Sequence, residues 1–260
     1  MRSEIRRLRG FDLEQVSHQQ HGQEWVPHWH DEWSFGAVVR GECRCIVGGQ
    51  PFGARSGDLI AISPGTVHTG ALTAPDSLGG VLVTMLYVPA EWFAREGLAP
   101  PARSGVVQSP RLAGRARELD SAEKAQSWMR DALPLLCDEL APRAGVIADP
   151  IPSQSVRSLI QKVQVAVLSG ETSVAGLALH CSVSRERLHR VSRDWLGMAP
   201  GEYLRAVRLH RAKQLLLDGR PLASIAADCG FSDQAHFTRW FRKTFGYSPG
   251  DLQEALQERG

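Results

Sequence analysis

Two periodicities divide the chain. Between residues 25 and 90 the apolar positions come in short runs, GAVVR, CRCIV, DLIAI and GGVLVTMLYV, separated by the turn-forming stretches GE, VGGQ, SGD and SPGT. Short, evenly spaced strands with tight turns predict an antiparallel β-barrel or double-sheet roll. From about residue 109 the pattern changes. SPRLAGRARELDSAEKAQSWMRDALPLLCDEL has helical spacing and few β-branched residues, which predicts one or two helices. APRAGVIADPIPSQ then carries three prolines and little periodicity, so a linker and a boundary near residue 150 are expected.

Everything after residue 155 reads as helix. Ser173 is placed to cap VAGLALHC, and Ser184 to cap RERLHRVSRDWL. EYLRAVRLHRAKQLLL, residues 202–217, predicts a long helix with Leu204, Val207, Leu209, Ala212, Leu215 and Leu216 on one broad arc. Arg208 falls inside that arc and is expected to be partly buried and hydrogen-bonded. Pro221 opens the next helix and Gly230 ends it. Ser232 is expected to cap DQAHFTRWFRKTF, with Gly246 closing that helix. The division expected is 1–108, a β domain; 109–150, a helical spacer and linker; and 151–260, an all-α domain. The fold class is therefore α+β and multidomain.

Composition changes this picture little. At 260 residues and 43% hydrophobic, the chain has material for two ordinary cores. No apolar run approaches the ~20 residues needed to span a bilayer. The charged N-terminus MRSEIRRLRGFDLEQ has no apolar segment of the secretory type. A cytoplasmic protein with no membrane association is expected, its five cysteines present as free thiols. The net charge of +2 hides an asymmetry: residues 151–260 hold 15 Lys+Arg against 10 Asp+Glu, while residues 1–150 are net −3. A polyanion would meet the second part first.

The all-helical part contains one pattern twice. Leu177-Ala178, Cys181 and Ser184 recur 48 residues later as Ile225-Ala226, Cys229 and Ser232. After one extra residue, Leu188 and Arg190 recur as Phe237 and Arg239. Each copy reads as a short helix, a tight turn and a second helix, with a small Ala that lets the two pack closely. Two helix-turn-helix units or two hairpins of an ordinary bundle would both give this repeat.

GFSDQAHFTRWFRKTFGYSP, residues 230–249, then resembles the C-terminal signature of the AraC family of bacterial transcription regulators. The matching positions are Gly230-Phe231, Ser232-Asp233, His236-Phe237, Arg239, Phe241, Arg242-Lys243, Gly246 and Ser248-Pro249. The resemblance extends over roughly 156–256, with residues 202–217 similar to the helix that links two helix-turn-helix units. One departure is Ser182, where the first turn of such motifs often has Gly.

The resemblance implies sequence-specific binding of double-stranded promoter DNA, with base-edge contacts from Arg185, Glu186, His189 and Arg190 in the first unit. In the second unit it implies Gln234, Ala235, Thr238 and Arg239. Arg187, Arg193, Arg242 and Lys243 suit phosphates or a solvated face. Leu188, Val191, Trp195, Phe237, Phe241 and Phe245 read as core, and Trp240 suits packing or stacking equally.

The β part resembles the cupin-type sensing domain that many members of that family carry: Pro27-His28-x-His30-Asp31, then Gly41, Gly57-Asp58 and Pro64-Gly65-Thr66-Val67-His68. Enzymatic cupins add a Glu three or four residues after the second His; here those places are Ser34 and Phe35, and Glu32 comes early. Three readings stand side by side. In one, His28, His30 and His68 line a small-molecule effector pocket walled by Trp25 and Trp33. In another the histidines hydrogen-bond strand ends. In the third they hold a metal. No cofactor, no catalytic residue and no enzyme activity are expected. A metal-dependent cupin enzyme with an appended nucleic-acid module is the alternative. The family resemblance further implies a homodimer, with Leu112, Leu119, Trp128, Leu133 and Leu136 either at its interface or simply covering the barrel, and a contact with RNA polymerase. The N-terminal arm, residues 1–20 with Arg2, Arg6, Arg7 and Arg9, could cover the pocket, touch the other domain or be disordered.

Overall fold

β4, Trp33–Arg40, is buried along nearly its whole length, so both of its faces are covered. The computed structural model describes residues 3–8, 13–19, 21–74, 80–142 and 153–257. The expected boundary near residue 150 and the arginines at 2 and 9 lie outside the described residues. β4 is a central strand of a six-stranded antiparallel sheet formed with β1 (Glu4–Leu8), β2 (Leu13–His18), β7 (Asp58–Ile62), β9 (Leu82–Val88) and β10 (Gly105–Gln108), in the order β1-β2-β9-β4-β7-β10. A second, four-stranded sheet has the order β3-β8-β5-β6: Glu24–His28, His68–Thr73, Glu42–Val47 and Gln50–Arg55. The β part is thus two antiparallel sheets, a roll rather than one closed barrel.

The pleat separates two environments, because successive side chains point to opposite faces. On one face of the large sheet, Trp33, Phe35, Ala37, Leu59, Ala61, Leu86 and Val88 join a core with three helical segments: α1 (Ala90–Glu96), α2 (Pro110–Arg115) and α3 (Ala122–Glu139). The residues between them, Ile60, Ile62, Met85 and Tyr87, face a cavity instead. Gly36 belongs to this second set, since a Cβ there would come within 2.2 Å of Met85 Sδ. A strand with both faces covered reads as a continuous apolar run, which is why DLIAI and VLVTMLYV show no alternation.

Leu112, Leu119, Trp128, Leu133 and Leu136 all lie in that core, none more than 5% exposed. Trp128 Nε1 donates to the carbonyl of Leu112 at 2.8 Å. These side chains cover the sheet and leave nothing for a partner chain, which removes them as interface candidates.

Among the described residues, those up to 142 and from 241 to 257 pack as one compact unit, and those from 153 to 240 as another. Within the first, the Tyr247 hydroxyl donates to Glu14 Oε1 at 2.7 Å, both side chains being buried. Gly246 ends its helix with φ of 86° and sits so close to His18 and Trp25 that a Cβ would lie 2.8 Å from His18 Cε1. Glycine is required there twice over, by the left-handed backbone and by the lack of room.

The second unit is helical. α4 (Gln154–Leu168) places Leu159, Val163 and Ala166 against Leu177, Ala178 and Cys181 of the helix–turn that follows, together with Leu188, Val191 and Leu204. α5 (Val174–His180) and α6 (Arg185–Leu196) form the first helix pair. α7 (Pro200–Leu217) is the long helix, and α8 (Leu222–Asp228) and α9 (Gln234–Phe245) form the second pair. α9 ends in the first unit, where α10 (Pro249–Gln257) packs against β1. On α7 the buried set is Leu204, Ala206, Leu209, Ala212, Lys213 and Leu216, with Val207 and Leu215 half-buried. The buried arc shares Leu204, Leu209, Ala212 and Leu216 with the one the periodicity gives, and also takes in Ala206 and Lys213.

Candidate functional site: two exposed helices and a histidine-lined cavity

The two helix pairs are built alike down to single hydrogen bonds. α5 ends with Cys181, Ser182 and Val183 N–H donating to the carbonyls of Leu177, Leu179 and Ala178. α8 ends with Cys229, Gly230 and Phe231 N–H donating to Ile225, Ala227 and Ala226. Ser182 and Gly230 occupy the same place, and both are left-handed, with φ of 54° and 74°. Ser182 is the one non-glycine residue with positive φ among those described. The departure from Gly therefore leaves the turn geometry unchanged and strains the backbone instead.

Serine side chains cap the first pair as their spacing predicts. Ser173 Oγ accepts from Gly176 N at 2.9 Å, and Ser184 Oγ from Arg187 N at 3.2 Å. The second pair differs. Asp233, not Ser232, caps α9, its Oδ1 accepting from His236 N at 2.7 Å. The extra residue in the second copy moves the cap by one position. Ser232 instead donates to Asp233 Oδ2 at 3.0 Å. Those two hydrogen bonds hold the Asp233 carboxyl below its usual range, the backbone one contributing most.

Each outer helix buries a narrow stripe and exposes the rest. In α6, Leu188, Val191 and Ser192 are buried while Arg185, Glu186, Arg187, His189, Arg190 and Arg193 are exposed. In α9, Phe237 is fully buried while Gln234, Ala235, Arg239, Arg242 and Lys243 are exposed, and Thr238 is half-buried. Trp240 packs: its Nε1 donates to His236 Nε2 at 2.8 Å and the Arg205 guanidinium lies 3.7 Å above its ring. Arg208 is half-buried; its Nη2 donates to the Thr172 carbonyl at 2.6 Å and its Nη1 to the Gly230 carbonyl at 3.4 Å. One side chain on α7 thus ties the entry to the first pair to the turn of the second.

The cavity lies between the two sheets of the first unit. Its volume is about 60 Å³, and its lining includes Trp25, Cys45, Met85 and Tyr87 with the three histidines. His28 pairs directly with His68 across β3 and β8. Simple alternation would put Trp25 and His28 on opposite faces. A register shift between them brings both inside. His30 lies just past the end of β3, where its carbonyl accepts from Gly65 N at 2.9 Å. The rings close on one another: 4.3 Å between the centroids of His28 and His68, 5.0 Å for His28 and His30, and 5.3 Å for His30 and His68. All three are buried.

Burial sets the protonation here. It pushes the His68 imidazole down to about 4, against a smaller opposing effect of its hydrogen bond to the Thr66 carbonyl. It pushes His18, also in the lining, down to about 3. Burial and the carboxylates of Glu14 and Glu32 raise the Tyr87 phenol. Cys43 and Cys45 are free thiols sharing one strand face, with sulfurs 3.0 Å apart. Hydrogen bonding to Cys43 lowers Cys45, against an opposing effect of burial.

Trp33 is not part of this lining. It stacks on Phe35, centroids 5.4 Å apart, in the core beneath the helices, because its place in the pleat faces the other side of β4. Tyr87 and Met85 are lining residues that the sequence reading missed; their alternation with Leu86 and Val88 was hidden in an apolar run. Among the described residues, His28, His30 and His68 are the one group of three potential metal ligands whose atoms lie within 4.8 Å of one another, and Glu32 stands outside it.

Comparison with known proteins supplies the family. Residues 11–129 match the AraC-like ligand binding domain and residues 177–255 a helix-turn-helix domain. The arabinose operon regulatory protein of Salmonella typhimurium is 28% identical over 234 residues, covering 85% of this chain and 83% of that protein. The transcriptional activator RhaS of Escherichia coli is 39% identical over 74 residues, 28% of this chain and 27% of its own. In structure, apo ToxT of Vibrio cholerae superposes with a TM-score of 0.56 over 96% of this chain and 100% of that one; at 12% identity this speaks for the fold alone. Among the described residues no helix is long and apolar enough to cross a membrane. The chain belongs to the AraC family of transcription regulators, a ligand-binding domain joined to a helix-turn-helix DNA-binding domain.

Proposed function

We propose that α6 and α9 are reading helices that enter successive major-groove segments of one promoter duplex. The observation that carries this is the repeated construction of the two helix pairs, each leaving a cationic face exposed beside a buried apolar stripe. In this reading Arg185, Glu186, His189 and Arg190 meet base edges in one segment, and Gln234, Ala235, Thr238 and Arg239 in the next. Arg187, Arg242 and Lys243 meet phosphates. Arg donates bidentately to guanine and Gln pairs with adenine, each good pair discriminating by roughly 1–3 kcal/mol. Arg208 holds the two pairs in register.

The sensing site is the cavity of the first unit, with His28, His30, His68 and Trp25 in its wall. A small effector there would favour one arrangement of the protein over another and so alter promoter binding. At about 60 Å³ the cavity is well below the ~300–1,000 Å³ of drug-sized sites, which supports a very small ligand or one that opens the roll. The regulator acts in the cytoplasm, where the DNA is, as a homodimer that contacts RNA polymerase. Its interface does not use the buried leucines of α2 and α3. Genome-wide mapping of bound DNA tests the function: enrichment of a few promoters sharing a two-block motif is expected. Uniform, sequence-independent occupancy would overturn it.

A further inference from the structure

We infer that Cys43 and Cys45 are a site of reversible oxidation by peroxide, closing to a disulfide within a single strand. The two residues stand two positions apart on β5, so their side chains leave the same face of the sheet, and both line the cavity. Their sulfurs are 3.0 Å apart, and a disulfide bond is about 2.05 Å long, so side-chain rotation of about 1 Å joins them. Opposite Cys45 on β8 stands Gly70, which has no side chain to cover that sulfur.

Placement on one strand makes the bond a reversible one. Residues two apart on an extended strand have Cα atoms about 6.6–6.8 Å apart, at the outer limit of the range of about 4.4–6.8 Å that disulfides span. Closing the bond draws β5 tighter than its pairing with β6 and β8 favours. A strained disulfide is more easily reduced than a structural one, as a bond that is made and broken requires. β8 carries His68 opposite Val47 of β5, so closure also moves the cavity wall.

The two thiols are unequal. Cys43 is buried, and Cys45 is half-buried and reachable. Hydrogen bonding to Cys43 also holds the Cys45 thiol below its usual range, which favours the nucleophilic thiolate. Cys45 therefore attacks first. Its sulfur bonds to one oxygen of hydrogen peroxide, the O–O bond breaks, and the departing hydroxide takes up the thiol's proton, leaving a sulfenic acid and one water. The Cys43 sulfur then bonds to the Cys45 sulfur, the S–O bond breaks, and the hydroxide leaves with the Cys43 proton as a second water. Two thiols and one peroxide give one disulfide and two waters, the sulfurs losing the two electrons that the peroxide gains. The cavity, about 60 Å³, exceeds the roughly 10–15 Å³ that one water needs, so the oxidant fits. A dithiol reductant reverses the step by exchange. The other three cysteines are placed differently: Cys181 and Cys229 are buried in separate helix pairs, and Cys137 on α3 donates to the Ala99 carbonyl, its thiol raised by burial.

The test treats the reduced full-length protein with hydrogen peroxide in the presence of a chelator, alkylates the remaining thiols and maps the tryptic peptides by mass. The expected result is loss of two of the five thiols per chain, in a monomer lighter by two hydrogens. Arg44 lies between the two cysteines, so cleavage there yields two peptides joined by the bond, which a dithiol reductant separates. In Cys43→Ser, Cys45 should persist as a sulfenic acid labelled by a cyclic 1,3-diketone; in Cys45→Ser, Cys43 should stay reduced. Oxidation confined to Cys137, or sulfinic acid at Cys45 with no link to Cys43, overturns the inference. The wild-type map decides the matter even if a variant does not fold. It needs no DNA, so its failure removes the disulfide and leaves the reading of the cavity as a sensing site standing. A control of transcription by this bond does rest on that reading. A difference in promoter affinity between oxidised and reduced protein, absent in Cys43→Ser, supports it; linked cysteines with unchanged affinity keep the site and remove the control.

Discussion

Ser182 and Gly230 occupy equivalent turns with the same hydrogen bonds, yet only one of them suits a left-handed backbone. A non-glycine residue in that region costs about 1–2 kcal/mol. Glycine returns about 0.4–1 kcal/mol of this through the greater freedom of its unfolded chain. Ser182→Gly should therefore stabilise the first helix pair by about 0.5–1 kcal/mol. Gly230→Ser should destabilise the second by a similar amount. No clash adds to that figure, since a Cβ at Gly230 would find Arg208 Cζ as its nearest neighbour, at 3.8 Å. Amide hydrogen exchange on the full chain reads each pair separately. Protection of Val183 N–H, bonded to Ala178, should rise about 2- to 5-fold in Ser182→Gly, and that of Phe231 N–H, bonded to Ala226, should fall likewise in Gly230→Ser. Lower protection in Ser182→Gly, or higher protection in Gly230→Ser, would refute the claim that the two turns are one design with a single strained residue.

Three other outcomes are expected. Arg190→Ala and Arg239→Ala should each lose roughly 1–3 kcal/mol of binding to a cognate promoter with little loss on random duplex; equal losses on both would make them phosphate contacts. Arg208→Ala removes donors from the Thr172 and Gly230 carbonyls and should cost about 1–2 kcal/mol of cognate affinity, measured by fluorescence anisotropy, without altering the bases preferred. His18 is buried in its neutral form, its pKa lowered from 6.5 to about 3. Above pH 6.5 both folded and unfolded states are neutral there and stability is unaffected. As pH falls below 6.5 only the unfolded chain takes up the proton, so by pH 5 about 2 kcal/mol is lost. His18→Gln should remove that part of the acid dependence in denaturant melts at pH 7 and pH 5, and an unchanged dependence would contradict the assignment.

What could be read from the sequence followed physical periodicity. The repeat of Leu177-Ala178 and Cys181 in Ile225-Ala226 and Cys229 marks buried positions in both copies, because a helix pair of this size has few ways to fill its centre. Arg208 could be expected to be half-buried and bonded because a cation inside an apolar arc needs acceptors. Other features left no such trace. Trp33 reads as well for a cavity wall as for a core, since β4 is covered on both faces. The cap of α9 shifts to Asp233 with a single extra residue, a change no larger than the uncertainty of a turn. The leucines of α2 and α3 suit a partner chain or the chain's own sheet equally, and only the fold shows that the sheet takes them. The inward turn of Trp25 beside His28 depends on a backbone irregularity between them that residue type alone does not announce.

The claim on which the account depends is that one chain reads two neighbouring segments of the major groove. A chemical protection footprint of the full-length protein on a promoter fragment it binds tests this most directly. Two protected blocks per chain are expected, centred about 10–10.5 base pairs apart, one lost in Arg190→Ala and the other in Arg239→Ala. A single protected block, or the loss of the same block in both variants, would contradict it.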